Sequence, residues 1–469
     1  MTSLRPKLMS DSTARATNAP WWQGVTRYQW LVLTIASLGW IFDIFEGQIF
    51  VTSMREMMSS LLPEGTAPEK RDAISKLALG AFLIGGAVGG VYFGMLSDRI
   101  GRAKTMVITI LIYSVFTCLT AFAQSAEQVI VLRFFVAMGV GGEWAVASAM
   151  VAEVFPAFAR VRSLGIFHAT SALGSYLAIA AGAFIVGNPD LKTEAIPDLN
   201  WRLAFGLGVL PALLTIWIRF KLKEPESWLK AREAAKKDPS KRTGHISDLF
   251  RGELLSKTLV SVSLAAIGLA TFWGVKIYGR SLMRNAAERT VIQQAAVQSV
   301  DPKAALEKEF SAIKKQEMTG HFLVMTGGLF GMLAFGPISE RLGRRGAFRF
   351  FFIGGFISSV ALFGFFNQAA SAFYWWALPV FGFLVSGIHA GYAIYFPELF
   401  PSRLRGTGLG LCFNLGRIIA APVLFLTAWM QNDQGFTINE TATLLSGLFL
   451  LGLFILRFAP ETNGEELPE

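Results

Sequence analysis

Apolar stretches of about 20 residues recur along the chain, and each is long enough to cross a lipid bilayer as an α-helix. They lie near residues 28–54, 77–97, 104–123, 129–155, 163–187, 201–220, 257–279, 318–338, 347–366, 373–397, 406–430 and 442–459. A segment in lipid must satisfy its backbone hydrogen bonds internally, as a helix does. Only 16% of the residues are charged, against about 25% in soluble domains. The sequence therefore predicts an all-α membrane protein with twelve transmembrane helices, called spans 1 to 12 below.

Basic residues cluster in the short loops after spans 2, 4, 8 and 10, whereas opposite loops such as QSAEQ and NQAASA hold neither Lys nor Arg. Because cytoplasmic loops carry the excess of Lys and Arg, we expect these basic loops and both termini to be cytoplasmic. The formal net charge of +10 then reflects topology and contact with the anionic lipid bilayer, not nucleic-acid binding. The expected location is the cell membrane.

Two pairs of loop motifs repeat at almost the same offset. GMLSDRIGR (94–102) after span 2 matches GPISERLGR (336–344) after span 8, and EVFPAFAR (153–160) after span 4 matches ELFPSRLR (398–405) after span 10. The offsets are 242 and 245 residues. Such agreement indicates two duplicated six-helix halves, a parallel repeat of the kind that transporters use.

The repeat and the loop lengths divide the chain into segments. The expected segments are a cytoplasmic N-terminal segment (1–27), the first half (28–220), a cytoplasmic central loop (221–256), the second half (257–459) and a cytoplasmic tail (460–469). The central loop contains an expected amphipathic helix at about 228–237. An external insertion at 284–317 is rich in Ala, Gln, Glu and Lys, which predicts one or two helices. It is either a lid over the outer mouth or a solvated insertion without a role.

The repeated loop motifs combine glycines, acids and arginines at the expected cytoplasmic surface. A glycine at a helix end lets two helices approach closely, and Asp98 or Glu340 can pair with arginines of its own or a neighbouring loop. Such a cluster either locks the two halves together in one state and releases them in another, or only sets topology and turns. The candidate gate residues are Gly94, Asp98, Arg99, Gly101, Arg102, Glu153, Arg160, Glu340, Arg341, Arg344, Glu398 and Arg405.

Several motifs resemble those of one transporter family. GMLSDRIGRAK resembles the signature between the second and third helices of major facilitator superfamily transporters, and RFFVAMGVGG (133–142) resembles their fourth-helix pattern. KEPESWL after span 6 and APETNG after span 12 are similar to signatures of the sugar-porter-like branch. GGEWAVASAMVAEVFP and NLGRI (414–418) look more like the organic-acid:proton symporters, those for sialate, lactate-type or aromatic acids. The resemblance covers nearly the whole chain and implies the twelve-helix fold of a transporter, which is not an enzyme.

Charged residues inside the spans are candidates for the functional site, because a charge at the bilayer centre costs about 2.5–3.5 kcal/mol on insertion scales. In span 1, Asp43 and Glu46 are one turn apart and share a helix face, with Gln48 close by as a substrate contact. Two carboxylates in a cavity of low dielectric repel, which favours proton uptake by one of them. Either one is the proton-coupling site and the pair faces the substrate, or both pair permanently with a buried arginine such as Arg133 or Arg417.

Span 11 offers a candidate for anion binding. Arg417 lies near the middle of the membrane in CFNLGRIIAAP, with Asn414 on the same helix face. A guanidinium there is a natural clamp for a substrate carboxylate. The alternative is a fixed salt bridge from Arg417 to Asp43 or Glu46 across the two halves.

Two histidines extend the set of candidate substrate contacts. His389 in span 10 is followed at i+3 by Tyr392, and His168 lies in span 5. Histidine titrates near neutral pH, so each is either part of a proton relay or a hydrogen-bonded packing residue.

Span 4 contributes Arg133, Glu143 and Trp144, all within or next to the motif that resembles the family. Arg133 lies near the outer end of its span, where it either extends to the membrane surface or has the coupling or structural role that the resemblance implies. Glu143 is deeper and is either a further proton site or the partner of a cation. Trp144 is a candidate substrate contact. In span 7, Lys276 and Arg280 are expected to extend toward the membrane surface.

Together these features predict a secondary transporter that takes up a small organic anion with protons, as a monomer without a cofactor or a metal site. The loop G-x-x-x-x-G-K-[ST] does not occur, which argues against an ATP-driven pump. Two alternatives remain. One is a porter for an uncharged sugar or polyol, in which Arg417 and the acids form a permanent gate, and the other is a nutrient sensor that does not transport.

Overall fold

The computed structural model describes residues 20–186, 188, 191 and 198–469. Among these residues the regular structure is entirely helical, which confirms the predicted all-α class. Residues 1–19 of the predicted N-terminal segment (1–27) lie outside the described residues.

The described part of the first half forms helices that correspond to predicted spans 1 to 6. They are α1 (Arg27–Leu61), α2 (Pro68–Ile100), α3 (Arg102–Thr120), α4 (Ala126–Val154), α5 (Ala157–Ala169), α6 (Ser171–Ala181), α7 (Leu199–Gly206) and α8 (Leu210–Lys221). Span 5 is formed by α5 and α6 and continues as a π-helical turn, Gly182–Val186. Span 6 is formed by α7 and α8, joined by the 3-10 turn Leu207–Val209.

The central loop and the second half supply the other helices. They are α9 (Glu226–Lys237), α10 (Gly252–Gly274), α11 (Gly279–Val297), α12 (Pro302–Lys308), α13 (Phe310–Ser359), α14 (Ser371–Leu399), α15 (Arg405–Ala420), α16 (Pro422–Asn432), α17 (Ile438–Leu445) and α18 (Gly447–Ile455). Helix α9 occupies the position of the predicted amphipathic helix. Span 7 corresponds to α10, span 10 to α14, span 11 to α15 with α16, and span 12 to α17 with α18.

Ten helical segments of the described chain are long and apolar enough to cross a membrane. One of them, Phe310–Phe365, contains both span 8 and span 9, because the chain bends sharply inside α13 at Gly343. At this bend φ is +77°, a conformation that only glycine adopts at little cost. Leu199–Leu214 is a shorter apolar helix that corresponds to span 6. These segments together account for the twelve predicted spans.

The insertion after span 7 is helical over most of its length. Helix α11 follows α10 after the 3-10 turn Lys276–Tyr278 and packs against α13, and α12 follows it. Arg289 of α11 donates hydrogen bonds to the carbonyl oxygens of Asn367 and Ala369, at 3.3 and 3.0 Å. The insertion is therefore tied to the loop between spans 9 and 10.

Glycines set the close contacts between helices within each half. A Cβ atom at Gly85 or Gly89 of α2 would overlap the backbone of α4, and one at Gly141 of α4 would overlap the backbone of α2. In the second half, Gly327 of α13 and Gly382 of α14 have the same relation. These helices touch through their backbones, which is how membrane helices pack where lipid offers no hydrophobic driving force.

We predict that Gly89→Ala destabilises the protein by about 1–3 kcal/mol, because a new methyl group must displace the α4 backbone at Met138. Gly80→Ala on the same helix is the matched control, since a Cβ atom there meets nothing within 4 Å. Thermal unfolding of both variants in detergent measures the difference. Equal unfolding temperatures for the two variants would contradict this account of the contact between α2 and α4.

Candidate functional site

Arg133 of α4 lies inside the first half, where both terminal nitrogens of its guanidinium donate hydrogen bonds to the carboxylate of Glu46 on α1. Thr117 of α3 donates another to Glu46 at 3.3 Å. The guanidinium also lies over the rings of Phe50 and Phe82, at 4.2 and 4.7 Å. Arg133 is 0% exposed, so the expectation that it extends to the membrane surface is wrong. Its charge is neutralised in place by Glu46.

Asp43, one turn before Glu46, has a different environment. It is 1% exposed, and neither of its carboxylate oxygens meets a hydrogen-bond donor among the described residues. It lies within electrostatic range of Glu46 and Glu143. The structure thus separates the two acids of span 1: Glu46 is paired with Arg133 inside its own half, whereas Asp43 has no cation partner in the described chain.

Glu143 of α4 is fully buried near Asp43. Its Oε2 accepts a hydrogen bond of 2.5 Å from the hydroxyl of Thr109, and its Oε1 has no donor within the described residues. The hydroxyl of Tyr113, one turn further along α3, is also buried without a partner there. Asp43, Glu143 and these two hydroxyl groups form a buried polar cluster, which we call the acid pair cluster. The sequence did not single out Thr109 or Tyr113, because isolated hydroxyl residues in apolar helices carry no distinctive signal.

Arg417 lies on α15 where the two halves meet, and it is half-buried. A Cβ atom at Gly86 of α2 would be 2.7 Å from its Nη1 atom, so that glycine makes room for the guanidinium. The guanidinium lies 5.4 Å from the ring centroid of Phe413 and has no hydrogen bond or ion pair with any described residue. The alternative of a fixed salt bridge from Arg417 to Asp43 or Glu46 is therefore wrong for this state.

Asn414 and Gln48, the predicted amide contacts, lie in different places. Asn414 is buried against Gly90 of α2 and donates a hydrogen bond of 2.9 Å to the carbonyl oxygen of Gly410. Its Oδ1 atom has no donor in the described part of the chain. Gln48 is exposed on α1, and its side chain is not drawn into the pair between Glu46 and Arg133.

An aromatic group connects Arg417 to the first half. Phe413, beneath Arg417, stacks on Trp144 of α4 with ring centroids 4.2 Å apart. The indole nitrogen of Trp144 donates a hydrogen bond of 3.2 Å to Nδ1 of His168, and Trp40 lies 5.6 Å from the His168 ring. The structure thus brings Arg417, Trp144 and His168 together. Phe413 and Trp40 also belong to this group, and sequence reasoning missed them because aromatic residues are common throughout the spans.

His389 and Tyr392 of α14 occupy the second half of this interior. The hydroxyl of Tyr392 donates a hydrogen bond of 2.9 Å to the carbonyl oxygen of Leu264, so it is not available to a substrate in this state. The ring of His389 meets Phe272 and Tyr392 edge to face, at 5.6 and 5.8 Å. Its Nε2 atom is buried without a partner among the described residues.

Lys276 occupies a break between two helices. α10 ends at Gly274, and Lys276 begins a 3-10 turn that leads into α11. Its ammonium lies 4.6 Å from the ring centroid of Phe272 and within electrostatic range of His168 and His389. The expectation that Lys276 extends to the membrane surface is therefore wrong, since its partly buried charge lies close enough to interact with buried histidines of both halves. Arg280 lies one turn further out, 3.6 Å from Glu317.

At the end of the bundle that carries the basic loops, called the basic end below, Asp98 of α2 joins the two halves. Its carboxylate accepts hydrogen bonds from the backbone nitrogens of Gly406 and Thr407, at 3.0 and 2.8 Å, and from the hydroxyl of Thr407 at 2.5 Å. These groups lie in the first turn of α15, where backbone N–H groups attract an anion. Gly94 permits the contact, because a Cβ atom there would be 2.5 Å from the carbonyl oxygen of Gly406.

Arg102 and Arg405 add charged bridges beside Asp98. Arg102 pairs with Asp98 at 2.6 Å and with Glu153 at 2.9 Å, and it donates to the carbonyl oxygen of Ser402 in the other half at 2.8 Å. Arg405 of the second half pairs with Glu153 at 2.7 Å. These contacts are buried. We call the set formed by Asp98, Arg102, Glu153, Ser402, Arg405 and Thr407 the latch.

The second copy of the motif also bridges the two halves through its acid, but the partner is an arginine side chain. Glu340, which is 242 residues after Asp98, accepts hydrogen bonds from Arg162 of the other half at 2.6 and 3.0 Å, and Arg162 lies 245 residues before Thr407. Arg344 pairs with Glu398 at 2.7 Å within the second half, as Arg102 does with Glu153. Both copies therefore place an acid against the start of a helix in the opposite half.

The other predicted gate residues have supporting contacts. Arg99 donates to the carbonyl oxygen of Gly244 in the central loop, and Arg160 donates to that of Ala152, at 3.0 and 2.9 Å. Arg341 is exposed. Sequence reasoning missed Arg162, because several arginines flank the same loop and nothing in the sequence says which one faces Glu340.

Two acids after spans 6 and 12 complete the repeat. The carboxylate of Glu224 accepts the backbone N–H of Arg102 at 2.6 Å, and that of Glu461 accepts the backbone N–H of Arg344 at 2.7 Å. A Cβ atom at Gly101 would be 2.3 Å from the Glu224 carboxylate, and one at Gly343 would be 2.6 Å from the Glu461 carboxylate, so only glycine leaves room for the acid at either position. Both acids belong to the KEPESWL and APETNG motifs, and they cap the helix that follows each loop.

Comparison with known proteins identifies relatives along nearly the whole chain. The model of the Major Facilitator Superfamily matches residues 44–423. The cis,cis-muconate transport protein of Acinetobacter baylyi is 29% identical over 80% of this chain and 84% of its own. The niacin transporter NiaP of the same organism is 26% identical over 97% and 99%, and the sialic acid transporter NanX of Escherichia coli is 27% identical over 94% and 93%.

Solved structures show the same fold. The proton:xylose symporter XylE, bound to 6-bromo-6-deoxy-D-glucose, superposes with a TM-score of 0.71 at 17% identity, over 94% of this chain and 98% of that chain. The human organic anion transporter MFSD10 (TETRAN) superposes with a TM-score of 0.64 at 18% identity, over 91% and 99%. At these identities the likeness concerns the fold alone.

We predict that Glu153→Gln weakens the closure of the basic end by about 2 kcal/mol, because it removes a charge that two arginines of different halves share. Glu398→Gln is the matched control, since Glu398 occupies the repeat-related position but accepts its hydrogen bonds from Arg344 of its own half and from Thr462 of the tail. Pulsed EPR distances between spin labels at the exposed residues Lys230 and Arg341 measure closure. A distance distribution that is the same for both variants would contradict the role assigned to Glu153.

Proposed function

Because the chain belongs to the Major Facilitator Superfamily, we propose that it is a secondary transporter that takes up a small organic carboxylate together with protons. The chain is a multi-pass protein of the cell membrane and a transporter, not an enzyme. The observation that carries the proposal is the guanidinium of Arg417, half-buried between the halves and without an ion pair in the described chain.

The environment of Arg417 suits an organic acid. A guanidinium forms two parallel hydrogen bonds with a carboxylate, and it is the preferred partner of that group inside proteins. Phe413 and Trp144 lie beside it and offer stacked apolar surface for a carbon skeleton. The relatives that transport muconate, niacin and sialic acid all carry acids, in agreement with this substrate class.

The acid pair cluster is the proposed site of proton binding. A buried carboxyl group without a cation is far more stable when it holds a proton. Asp43 and Glu143 meet no cation in the described chain, whereas Glu46 is neutralised by Arg133. We assign the transported proton to Asp43 and Glu143 as a pair, and we assign Glu46 and Arg133 to holding α1 against α4.

Alternating access follows from the two halves and the latch. We propose that the basic end is the cytoplasmic end, that both termini lie on that side, and that the insertion after span 7 is external. In this state the latch closes the cytoplasmic end, so the substrate enters from outside. Release of Asp98 from the first turn of α15 then opens the path inward as the halves rock against one another. Each half carries its own part of these sites, so one copy of the chain suffices.

We predict that Arg417→Gln lowers the affinity for carboxylate substrates by about tenfold to a hundredfold, because it removes a charged hydrogen-bond donor worth about 1.5–3 kcal/mol. Counterflow in proteoliposomes with muconate, nicotinate, sialate and xylose measures the effect. Arg341→Gln is the control, since that residue has the same charge but is exposed at the basic end. Undiminished acid transport by the Arg417 variant would favour an uncharged sugar or polyol as the substrate.

We predict that Asp43→Asn abolishes accumulation driven by a pH gradient but preserves exchange of substrate, because the amide resembles a permanently protonated carboxyl group. Glu46→Gln is expected to act differently, since it strands the buried charge of Arg133 and destabilises the protein by about 3–5 kcal/mol. Uptake with and without a pH gradient, together with thermal unfolding, separates the two effects. Full gradient-driven accumulation by Asp43→Asn would remove Asp43 from the proton site.

A further inference from the structure

The interior between the halves contains a second cation besides Arg417 that lacks an anion. Lys276 has neither a hydrogen bond nor an ion pair with any described residue. The acid at the same end of α13, Glu317, is held by Lys314 at 2.8 Å and by Arg280 at 3.6 Å. Lys276 lies in the break after α10, within electrostatic range of His168 in the first half and His389 in the second.

An aromatic wall connects the two cations. It consists, in order, of Phe272, His389, Tyr392 and Phe413. Consecutive ring centroids are 5.6, 5.8 and 6.4 Å apart. Lys276 lies 4.6 Å from the first ring, and Arg417 lies 5.4 Å from the last. A chain of ring contacts therefore links the surroundings of Lys276 to those of Arg417, with one positive charge at each end.

Charge balance indicates what this surface binds. A cation buried without an anion is costly, and a ligand that supplies the anion relieves that cost. A monocarboxylate neutralises Arg417 and leaves Lys276 uncompensated. A ligand with two carboxylates, joined by a flat or apolar chain, neutralises both and packs its chain on the rings.

We propose that the substrate is a dicarboxylate, with one carboxylate bound by Arg417 and the other by Lys276. The inference rests on the proposed function, because it assigns the substrate class to the same site. Lys276 is the residue that distinguishes a dicarboxylate from a monocarboxylate, and Arg417 binds the carboxylate that both classes share.

Two probes of nearly the same shape test the assignment. They are trans,trans-hexadienedioate and trans,trans-hexadienoate, which differ only in that a methyl group replaces one carboxylate. The wild-type protein in proteoliposomes is expected to transport both acids and to have an affinity for the diacid at least about tenfold higher than for the monoacid. Lys276→Gln is expected to remove this preference by weakening the diacid alone, and Lys276→Arg is expected to keep it.

Arg280→Gln is the matched control. It removes a positive charge one turn from Lys276, but from a side chain that is half exposed and already paired with Glu317. It should leave the preference for the diacid unchanged, which separates direct binding from a general loss of positive potential. Thermal unfolding of each variant verifies that the fold is intact. Retained preference for the diacid in Lys276→Arg shows in addition that a substitution at this position does not by itself disrupt the site.

The outcomes separate the two proposals. If Lys276→Gln weakens both acids equally or neither of them, or if the wild-type protein prefers the monoacid, Lys276 does not bind a second carboxylate, and the proposal for Arg417 stands. If Arg417→Gln leaves the affinities for both acids unchanged, or if the wild-type protein binds neither acid while it transports xylose, the proposed function itself is wrong. Loss of the preference in Arg280→Gln as well would show that the potential at the mouth, not contact with Lys276, selects the diacid.

Discussion

A charge held between membrane helices must be compensated, because neither lipid nor packed side chains solvate it. Arg133 meets this condition through Glu46, and the arginines of the latch meet it through Asp98 and Glu153. Each of these charges is paired with an opposite charge, and the pairs hold helices together. Asp43, Glu143, Arg417 and Lys276 do not have such partners in the described chain. The acids that lack a cation partner lie in the first half, and the cations that lack an anion partner lie in the second, so the proposed proton site and the charges of the proposed substrate site belong to different halves.

The two copies of the duplicated motif differ in how their acids contact the opposite half. Asp98 binds backbone N–H groups and a threonine hydroxyl in a buried contact, whereas Glu340 binds the side chain of Arg162 in a partly exposed one. Exposed ion pairs contribute about 0–1 kcal/mol, and buried networks lose much more when one partner is removed. The two bridges are therefore unequal, and we expect the first copy to contribute more than the second to holding the halves together at the basic end.

The sequence was sufficient for the fold, because apolar length, loop charge and the two motif offsets all reflect local constraints. It also located Asp43, Glu143 and Arg417 as charges that need an explanation. It could not show that Glu46 pairs with Arg133, since the two residues are 87 positions apart and only packing brings them together. Lys276 was misjudged for a similar reason: its position near the end of a hydrophobic stretch suggested the membrane surface, but the fold brings it within electrostatic range of the buried residues His168 and His389. The contacts that bridge the two halves, such as those of Asp98 with Thr407 and of Glu340 with Arg162, also depend on tertiary structure.

The contact between α2 and α15 links the proposed site to the latch. Along this single pair of helices, Arg417 lies against Gly86, Asn414 against Gly90, and Gly406 against Gly94, while Asp98 binds the first turn of α15. Because the glycines of α2 bring the two helices close together at each of these levels, a tilt of α15 at one level changes the contacts at the others. An anion that draws the guanidinium of Arg417 away from Gly86 therefore acts on the same helix whose N-terminus Asp98 holds. If the substrate binds Arg417 as proposed, the packing of α15 against α2 connects its binding to the latch.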